Sequence, residues 1–303
     1  MSDLAIEPLV SVIIPTYNRA NTIKTALESV IRQTYSNIEI IVIDDGSTDN
    51  TEQVVGSFSD VRIKYFHTKL NQGGASARNK GISLAKGDFV ALLDSDDVWL
   101  SDKLKKQIDL LKKSGKEKKT VCYCQVWYSK SGIPTNFDRL TSYPKYPARG
   151  KYFNEPIGDY LLSQHGAMSS STLVLSHDLA IQTLFDEQFR KHQDWDFLMR
   201  LEARGASFEF IEEPLLIWNL DDSFVHVGKQ VNVDLSIQWL RHYADSLSQE
   251  AYKNFILKVA VPNIIKKNVS EMFKVTRLII YGWIKKELSI KVIIKTLIKT
   301  WRK

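Results

Sequence analysis

Phe89-Val90-Ala91-Leu92-Leu93-Asp94-Ser95-Asp96-Asp97 decides how the chain is read: an apolar run delivers three carboxylates within four residues. An apolar run this short, bounded by charge, reads as a strand buried on both faces, the kind found inside a parallel sheet. The carboxylates then stand at its carboxyl end, where open α/β sheets gather their ligands. Like charges so close raise one another's pKa unless a cation intervenes, and hard divalent ions such as Mn²⁺ or Mg²⁺ take carboxylate oxygens. Asp97 also precedes a helix-like stretch from Ser101, so a capped helix start is a second reading of the same residues.

Outward from that stretch, strand and helix signals alternate. Strands are predicted over 10–15, 38–43 and 61–66, and helices over 20–33, 48–55 and 75–85, the second opened by Ser47 or Thr48 as its cap. With the strand at 89–93 this is βαβαβαβ, which predicts a mostly parallel, doubly wound α/β sheet covered by helices on both faces. The loops after three of these strands are chemically loaded: Pro15-Thr16-Tyr17-Asn18, Asp44-Asp45-Gly46-Ser47 and the acidic cluster. Downstream, a helix over 102–113 leads through the basic link Lys116 to Lys119 into a strand over 121–128. The stretch 129–156 carries Pro134, Pro144, Pro147 and Pro156, so it is expected to be a long loop or lid instead of a packed element. Further strands are expected over 170–175, 208–211 and 215–218, with a helix over 195–203.

Bulk properties bound the rest. With 303 residues, 44% hydrophobic and 25% charged, the chain has an ordinary globular composition, enough for one large domain with or without an appendage. Residues 1–10 have no basic region followed by an apolar one, so no secretory signal is read and a cytoplasmic protein is expected. Cys122 and Cys124 fall on one face of a predicted strand, which suits reduced core thiols better than a disulfide or a metal site.

The net charge of +6 is unevenly spread: residues 258–303 hold twelve Lys and Arg against Glu271 and Glu287, which leaves 29 basic and 33 acidic residues before them. Such a tail implies an anionic partner, membrane surface or nucleic acid. Within it, Ile290, Ile293, Ile294, Leu297, Ile298 and Trp301 lie at helical spacing, with Lys291, Lys295, Lys299 and Arg302 opposite. The longest uncharged run nearby, 278–284, is far short of the ~18 residues that span a bilayer. An amphipathic cationic helix lying on an anionic membrane surface is therefore expected, and no nucleic acid; docking of its apolar face on the rest of the protein is the alternative.

Taken together, VSVIIPTYN (10–18), IVIDDGSTD (41–49), NQGGASARNKG (71–81) and LDSDD (93–97) resemble the family 2 glycosyltransferases of the GT-A fold, in order and over residues 9 to about 220. The resemblance implies a GT-A domain over 1–220, a helical basic extension over 221–303, and transfer of a sugar from a nucleotide diphosphate donor, a UDP-sugar, with inversion. Asp45 would accept the N3–H of a uracil-like ring, with Pro15, Thr16 and Tyr17 bordering the same slot. Gly73 and Gly74 would let backbone approach the donor, and Arg78 would offer a planar cation to phosphate. Asp94 and Ser95 would stand in the donor-binding turn, Asp94 near the ribose or the ion. Asp96 would ligate Mn²⁺ or Mg²⁺ directly, and Asp97 ranks below both. In some members a late His completes the metal shell, which points to His226 beside Asp221 and Asp222; His165 and His192 are weaker candidates.

Phe185-Asp186-Glu187 followed by His192-Gln193-Asp194-Trp195 is similar to the family's acceptor-side motif, whose Asp is the catalytic base in inverting members. Asp194 is therefore the expected base, at a helix start whose macrodipole would keep it ionised. Gln193 departs from the family's usual Glu on the acceptor side. A glycan or lipid-linked oligosaccharide acceptor, as in bacterial surface-polysaccharide assembly, would explain the tail and a position at the inner membrane face. Two other readings stay open. A nucleotidyltransferase would need a Gly-rich signature with Arg and Lys after the first strand, which PTYNR does not supply; a catalytically inactive nucleotide-sugar-binding protein held at the membrane is kept alive by Gln193.

Overall fold

The computed structural model describes residues 7–130, 132–134, 137–163, 166–220, 233–262 and 269–286, together with Ile294 and Ile298. Its first half is the alternation read from sequence. Val10–Thr16 (β1), Ile38–Asp44 (β2), Ile63–His67 (β3) and Phe89–Leu92 (β4) form a parallel sheet in the order β3-β2-β1-β4, with Ile23–Ile31 (α1), Thr51–Gly56 (α2) and Gly74–Leu84 (α3) as crossovers. Side chains alternate between two cores, as the two-residue period of a strand requires. Val10, Val12 and Ile14 pack with Ile23, Leu27 and Val30 of α1; Ile13, between them, packs with Ile82 of α3 on the opposite face. Gly81 is needed for that approach, since a Cβ there would lie 2.3 Å from Ile13 Cγ2.

Val98–Trp99 (β5), Thr120–Ser129 (β6), Lys145–Tyr146 (β7), Val174–Ser176 (β8) and Ser207–Asn219 (β9) extend the sheet to the order β3-β2-β1-β4-β8-β6-β9-β5, with β7 on β6. Here antiparallel pairs enter: β8 runs against both β4 and β6, β5 against β9 and β7 against β6. The helix Lys103–Ser114 (α4) covers this half with Leu104, Ile108 and Leu111. Cys122 and Cys124 are buried, free thiols in the same core, and removal from water pushes them up to about 12 and about 11.

Several boundaries differ from the sequence reading. α2 starts at Thr51, not at 48, because the carboxylate of Asp49 takes the Thr51 N–H at 3.0 Å while the Thr48 N–H is held by Asn18 Oδ1 at 2.8 Å. Ser170–Thr172 is a 3-10 turn, and the strand begins only at Val174. The strands expected at 208–211 and 215–218 are one, β9; Pro214 lacks an N–H for the ladder, and the pairing with β6 shifts register beside it instead of ending. The stretch 129–156 is packed in part: β7 pairs with β6, and Leu140 is buried with Val98, Trp127 and Ile217.

Three further helices frame the lower half, Ile157–Leu162 (α5), His177–Thr183 (α6) and Gln193–Ala203 (α7). Val233–Tyr243 (α8), Gln249–Phe255 (α9), a π-helical turn at Ile256–Ala260 and Val269–Lys286 (α10) follow. They bury Trp239, Tyr252 and Phe255 with Leu162 and Phe189, and Trp195 and Met199 of α7 pack on that cluster. Among the described residues no helix is long and apolar enough to cross a membrane. Of the amphipathic helix expected over 290–301, Ile294 and Ile298 are described, helical and exposed; the rest lies outside the described residues.

Candidate active site

The strand order reverses between β2-β1 and β4, the point beyond whose strand carboxyl ends an open α/β sheet keeps its ligand crevice. Thr16 closes β1 in register with Asp44 of β2, and the Asp45 N–H donates to Thr16 O at 2.8 Å. Pro15 and Thr16 are buried, whereas Tyr17 is 44% exposed at the crevice edge. Thr16 Oγ1 is buried with no hydrogen-bond partner, a polar atom left over at the base of the slot. The two loops are stapled through Asn18, whose φ of 50° sends its N–H to Ser47 Oγ at 2.8 Å. Asp44 is turned inward, taking the Ser47 N–H at 2.7 Å and the Tyr65 hydroxyl at 2.6 Å, which raises the Tyr65 pKa beyond its burial alone.

Asp45 is buried and grips the next loop: its carboxylate takes the N–H of Gly73 at 2.6 Å and of Gln72 at 2.9 Å. Gly73 has a φ of +99°, a backbone region costly for any residue with a Cβ, and a Cβ there would lie 2.6 Å from Arg190. Asp45 therefore positions the glycine turn at the start of α3.

Arg78, one turn into α3, joins two distant parts of the chain. Its NH2 group donates to Asp94 Oδ1 at 2.5 Å and its NH1 group to Gln193 Oε1 at 3.2 Å, while Nε is buried without a partner. Gly74 leaves room for this, since a Cβ there would lie 2.9 Å from Arg78 NH1. The three carboxylates after β4 separate by environment. Asp94 and Asp96 keep 32% and 13% of their side-chain surface and pair with Arg78 and, at 3.7 Å, Arg19. Asp97 turns inward, accepting from Ser171 Oγ at 2.5 Å and from the Asn219 N–H at 3.0 Å. Burial, with Asp96 and Asp94 nearby, pushes its pKa well above the usual carboxylate range. Ser171 Oγ also takes the Asp94 N–H at 3.0 Å, so one hydroxyl sets the turn from beneath. Ser95 is buried in that turn.

Asp194 sits in the first turn of α7, one residue after Gln193, with His192 as the cap residue at φ 60°. Desolvation raises its pKa from 3.8 to about 6; the Trp195 N–H at 3.0 Å and Arg78 pull it down, and Asp94 pushes it up. Burial thus outweighs the helix start and brings the carboxylate closer to neutrality than an ordinary Asp, while leaving it ionised at pH 7. Gln193, the departure from the family's Glu, is the second ligand of Arg78 and ties the start of α7 to α3. His192 is a structural residue: it bonds Ser236 Oγ at 3.0 Å, stacks on Trp195, and burial lowers its pKa to about 3.

The structure brings Thr16, Tyr17, Asp45, Arg78, Asp94, Ser95, Asp96 and Asp194 to loops and helix starts around one crevice. His226, with Asp221 and Asp222, and His165 lie outside the described residues. Among the described residues no group of three His, Cys, Asp or Glu converges as a metal cluster. Residues the sequence reading gave no role here are Arg19, Ser171 and Arg190, the last holding Gln72 O at 2.9 Å. Arg19 stands directly after the PTYN loop, a signal that could have found it; Ser171 and Arg190 carry none, since their partners are remote in the chain.

The family model described as glycosyl transferase family 2 matches residues 11–174. Among relatives, the amylovoran biosynthesis glycosyltransferase AmsB of Erwinia amylovora is 34% identical over 236 residues, covering 76% of either chain. The UDP-Glc:alpha-D-GlcNAc-diphosphoundecaprenol beta-1,3-glucosyltransferase WfgD of Escherichia coli is 47% identical over 106 residues, 35% of this chain and 42% of that one. Among solved structures, S. aureus TarS 1–349 in complex with UDP superposes with a TM-score of 0.64 at 18% identity, covering 97% of this chain and 89% of that one. The mannosyltransferase PcManGT of Pyrobaculum calidifontis, in complex with GDP-Man and Mn2+, gives 0.59 at 15% identity, covering 98% and 80%. At these identities the structural likenesses speak to the fold alone, a GT-A-type mixed sheet with C-terminal helices.

Proposed function

The chain belongs to glycosyl transferase family 2 and is a glycosyltransferase; from that premise we propose that it moves a sugar from a UDP-sugar to a hydroxyl of a lipid-linked oligosaccharide, with Asp194 as the base. The observation that carries this reading is Arg78. One guanidinium touches Asp94 just after β4 and Gln193 at the start of α7, so a single side chain spans from the turn after β4 to the residue beside Asp194, which supports reading the two as parts of one site.

Each residue has a physical part. The exposed ring of Tyr17 suits stacking on a nucleobase. The partnerless Thr16 Oγ1 offers a polar contact beneath it. An ionised carboxylate has about four acceptor positions, so Asp45 can hold the glycine turn and still take the N3–H of uracil. Arg78 and Arg19, whose charges now rest on Asp94 and Asp96, can turn to the donor's phosphates.

The donor set fits a hard divalent cation: Asp94 and Asp96 are partly exposed carboxylates held in one turn, and Mn²⁺ or Mg²⁺ is commonly held by one or two carboxylates with phosphate oxygens completing the shell. Such an ion supplies Lewis-acid charge against the departing diphosphate. Asp97, bonded inward, stays out of this set. Asp194, with a pKa of about 6, is largely ionised at neutral pH yet basic enough to accept a proton. As the acceptor oxygen bonds to the anomeric carbon, the bond from that carbon to the diphosphate breaks and the acceptor's proton passes to Asp194. A single displacement of this kind inverts the anomeric centre.

Residues 1–220 are read as the catalytic domain and 221–303 as a helical extension that holds it at the inner membrane face. Supporting this, α10 carries Phe273, Ile280 and Ile284 exposed along one side, at i, i+7 and i+11, in a strongly basic segment. The relatives' names support the acceptor class, since WfgD is named for a diphosphoundecaprenol acceptor.

The test is a screen of UDP-sugars against extracted lipid-linked acceptors, with nucleotide products resolved and product anomers assigned by NMR. UDP release with an inverted linkage is expected. Pyrophosphate release would indicate nucleotidyl transfer, and UDP binding without turnover on any acceptor an inactive binding protein.

A further inference from the structure

Behind the loop that leads into α7 lies a cavity of about 730 Å³, walled by Phe189 and Asp186 of that loop, by α8 and by α10. Its chemistry is cationic. Arg241 and Arg277 line it and have no acidic partner or hydrogen bond among the described residues. Lys274, also in the wall, is bound to Asp234 at 2.7 Å, and Asp186 is turned into its own loop, where it takes the Gln188 N–H at 2.9 Å. Three cations against two acids leave the lining net positive, and its two guanidiniums, neither of them held by an acid among the described residues, are the groups that best match phosphate oxygens two at a time. Two such cations in one cavity suit a diphosphate better than a single carboxylate.

Placement narrows the ligand further. Phe189 precedes Asp194 by five residues, and α8 forms a wall of the cavity while its Ser236 and Trp239 hold His192 and Trp195 on either side of the base. The cavity thus adjoins the acceptor side, whereas Asp94, Asp96 and Arg78 mark the donor side. Arg277 also lies on the exposed stripe of α10, one turn from Phe273 and three residues from Ile280. A phosphate carried on a membrane-embedded chain sits at headgroup level, where such a stripe would lie.

We propose that this cavity receives the diphosphate of the lipid-linked acceptor, clasped by Arg241 and Arg277. The assignment rests on the lipid-linked acceptor reading above. Both arginines are exposed, so the double variant Arg241→Ala/Arg277→Ala should fold, with UDP affinity as the control. In calorimetric titrations in EDTA, farnesyl diphosphate is expected to bind the wild type at least about tenfold more tightly than farnesol or inorganic pyrophosphate, and the double variant to lose at least about tenfold. With a lipid-linked acceptor, the acceptor KM of the variant should rise by a similar factor while the UDP-sugar KM stays. Farnesyl diphosphate affinity indifferent to the two arginines would overturn the proposal, as would pyrophosphate binding equally well, which would mark a site for free diphosphate. If the wild type glycosylates a lipid-linked acceptor and the variant does so with an unchanged acceptor KM, the cavity assignment fails and the function stands. If no lipid-linked acceptor is used but farnesyl diphosphate still binds through the arginines, the function fails and the acceptor assignment with it, and the two arginines mark a prenyl diphosphate site of another kind.

Discussion

Replacing Asp194 by Asn keeps the side chain's shape and an oxygen to accept the Trp195 N–H, and removes only the capacity to take a proton. The native carboxylate has a pKa raised from 3.8 to about 6, first by desolvation, with Arg78 partly opposing. A base works when ionised, so kcat/KM is expected to fall as pH drops through that value and to level off above it. At pH 7, one unit higher, about ten carboxylates are ionised for each one protonated. An ordinary Asp would place the limb near its unshifted 3.8 instead. Positioned general bases contribute about 10²–10⁴-fold, so Asp194→Asn should lose a factor in that range and lose the limb with it. A second lever checks the cause: removing the Arg78 charge should move the limb to higher pH. The assay is UDP release at subsaturating donor across pH 4.5 to 8.5. A limb near pH 4, or an Asn variant within tenfold of wild type, would refute the reasoning.

Other outcomes follow from the same geometry. Tyr17→Ala should weaken UDP binding by roughly five- to 150-fold in calorimetry, the loss expected for about 1–3 kcal/mol of base stacking. Turnover should stop in EDTA and return with Mn²⁺ or Mg²⁺, and Asp96→Asn should cost at least about 10²-fold in kcat/KM even at saturating ion. Gly81→Ala should destabilise the fold by about 1–3 kcal/mol in urea unfolding, because its Cβ would lie 2.3 Å from Ile13 Cγ2 in the packed interface between α3 and the sheet. Exchanging Phe273, Ile280 and Ile284 for Ser should reduce sedimentation with anionic vesicles, and the native protein's attachment should weaken in high salt.

The parallel half of the fold was legible because β1, β2 and β4 are buried on both faces and so read as near-continuous apolar runs between turn residues, broken within β1 and β2 by Ser11 and Glu39. Val61 marks the limit of that signal: apolar by type, it is 94% exposed, since Asp60 takes the Arg62 N–H at 2.9 Å and holds the chain in a turn before β3. The antiparallel half was less legible, because pairing of β8 with β4 and β6 depends on segments far apart in sequence. The polar loops after β1, β2 and β4 were readable from their residue types. The division of labour among Asp94, Asp96 and Asp97 was not, since Ser171 and Asn219, 74 and 122 positions from Asp97, decide which carboxylate turns inward. The pKa of Asp194 escaped for the same reason: a helix start is local, and desolvation is set by everything packed around it.

The central claim is that the turn after β4 and the Tyr17 slot together hold a nucleoside diphosphate through a divalent cation. Calorimetric titration of UDP into the purified protein with and without Mn²⁺ tests it most directly. Saturable binding at one site with Mn²⁺, at least tenfold weaker in EDTA and in Asp96→Asn, is the expected result. Absence of metal-dependent binding for UDP and for every other nucleoside diphosphate would contradict it.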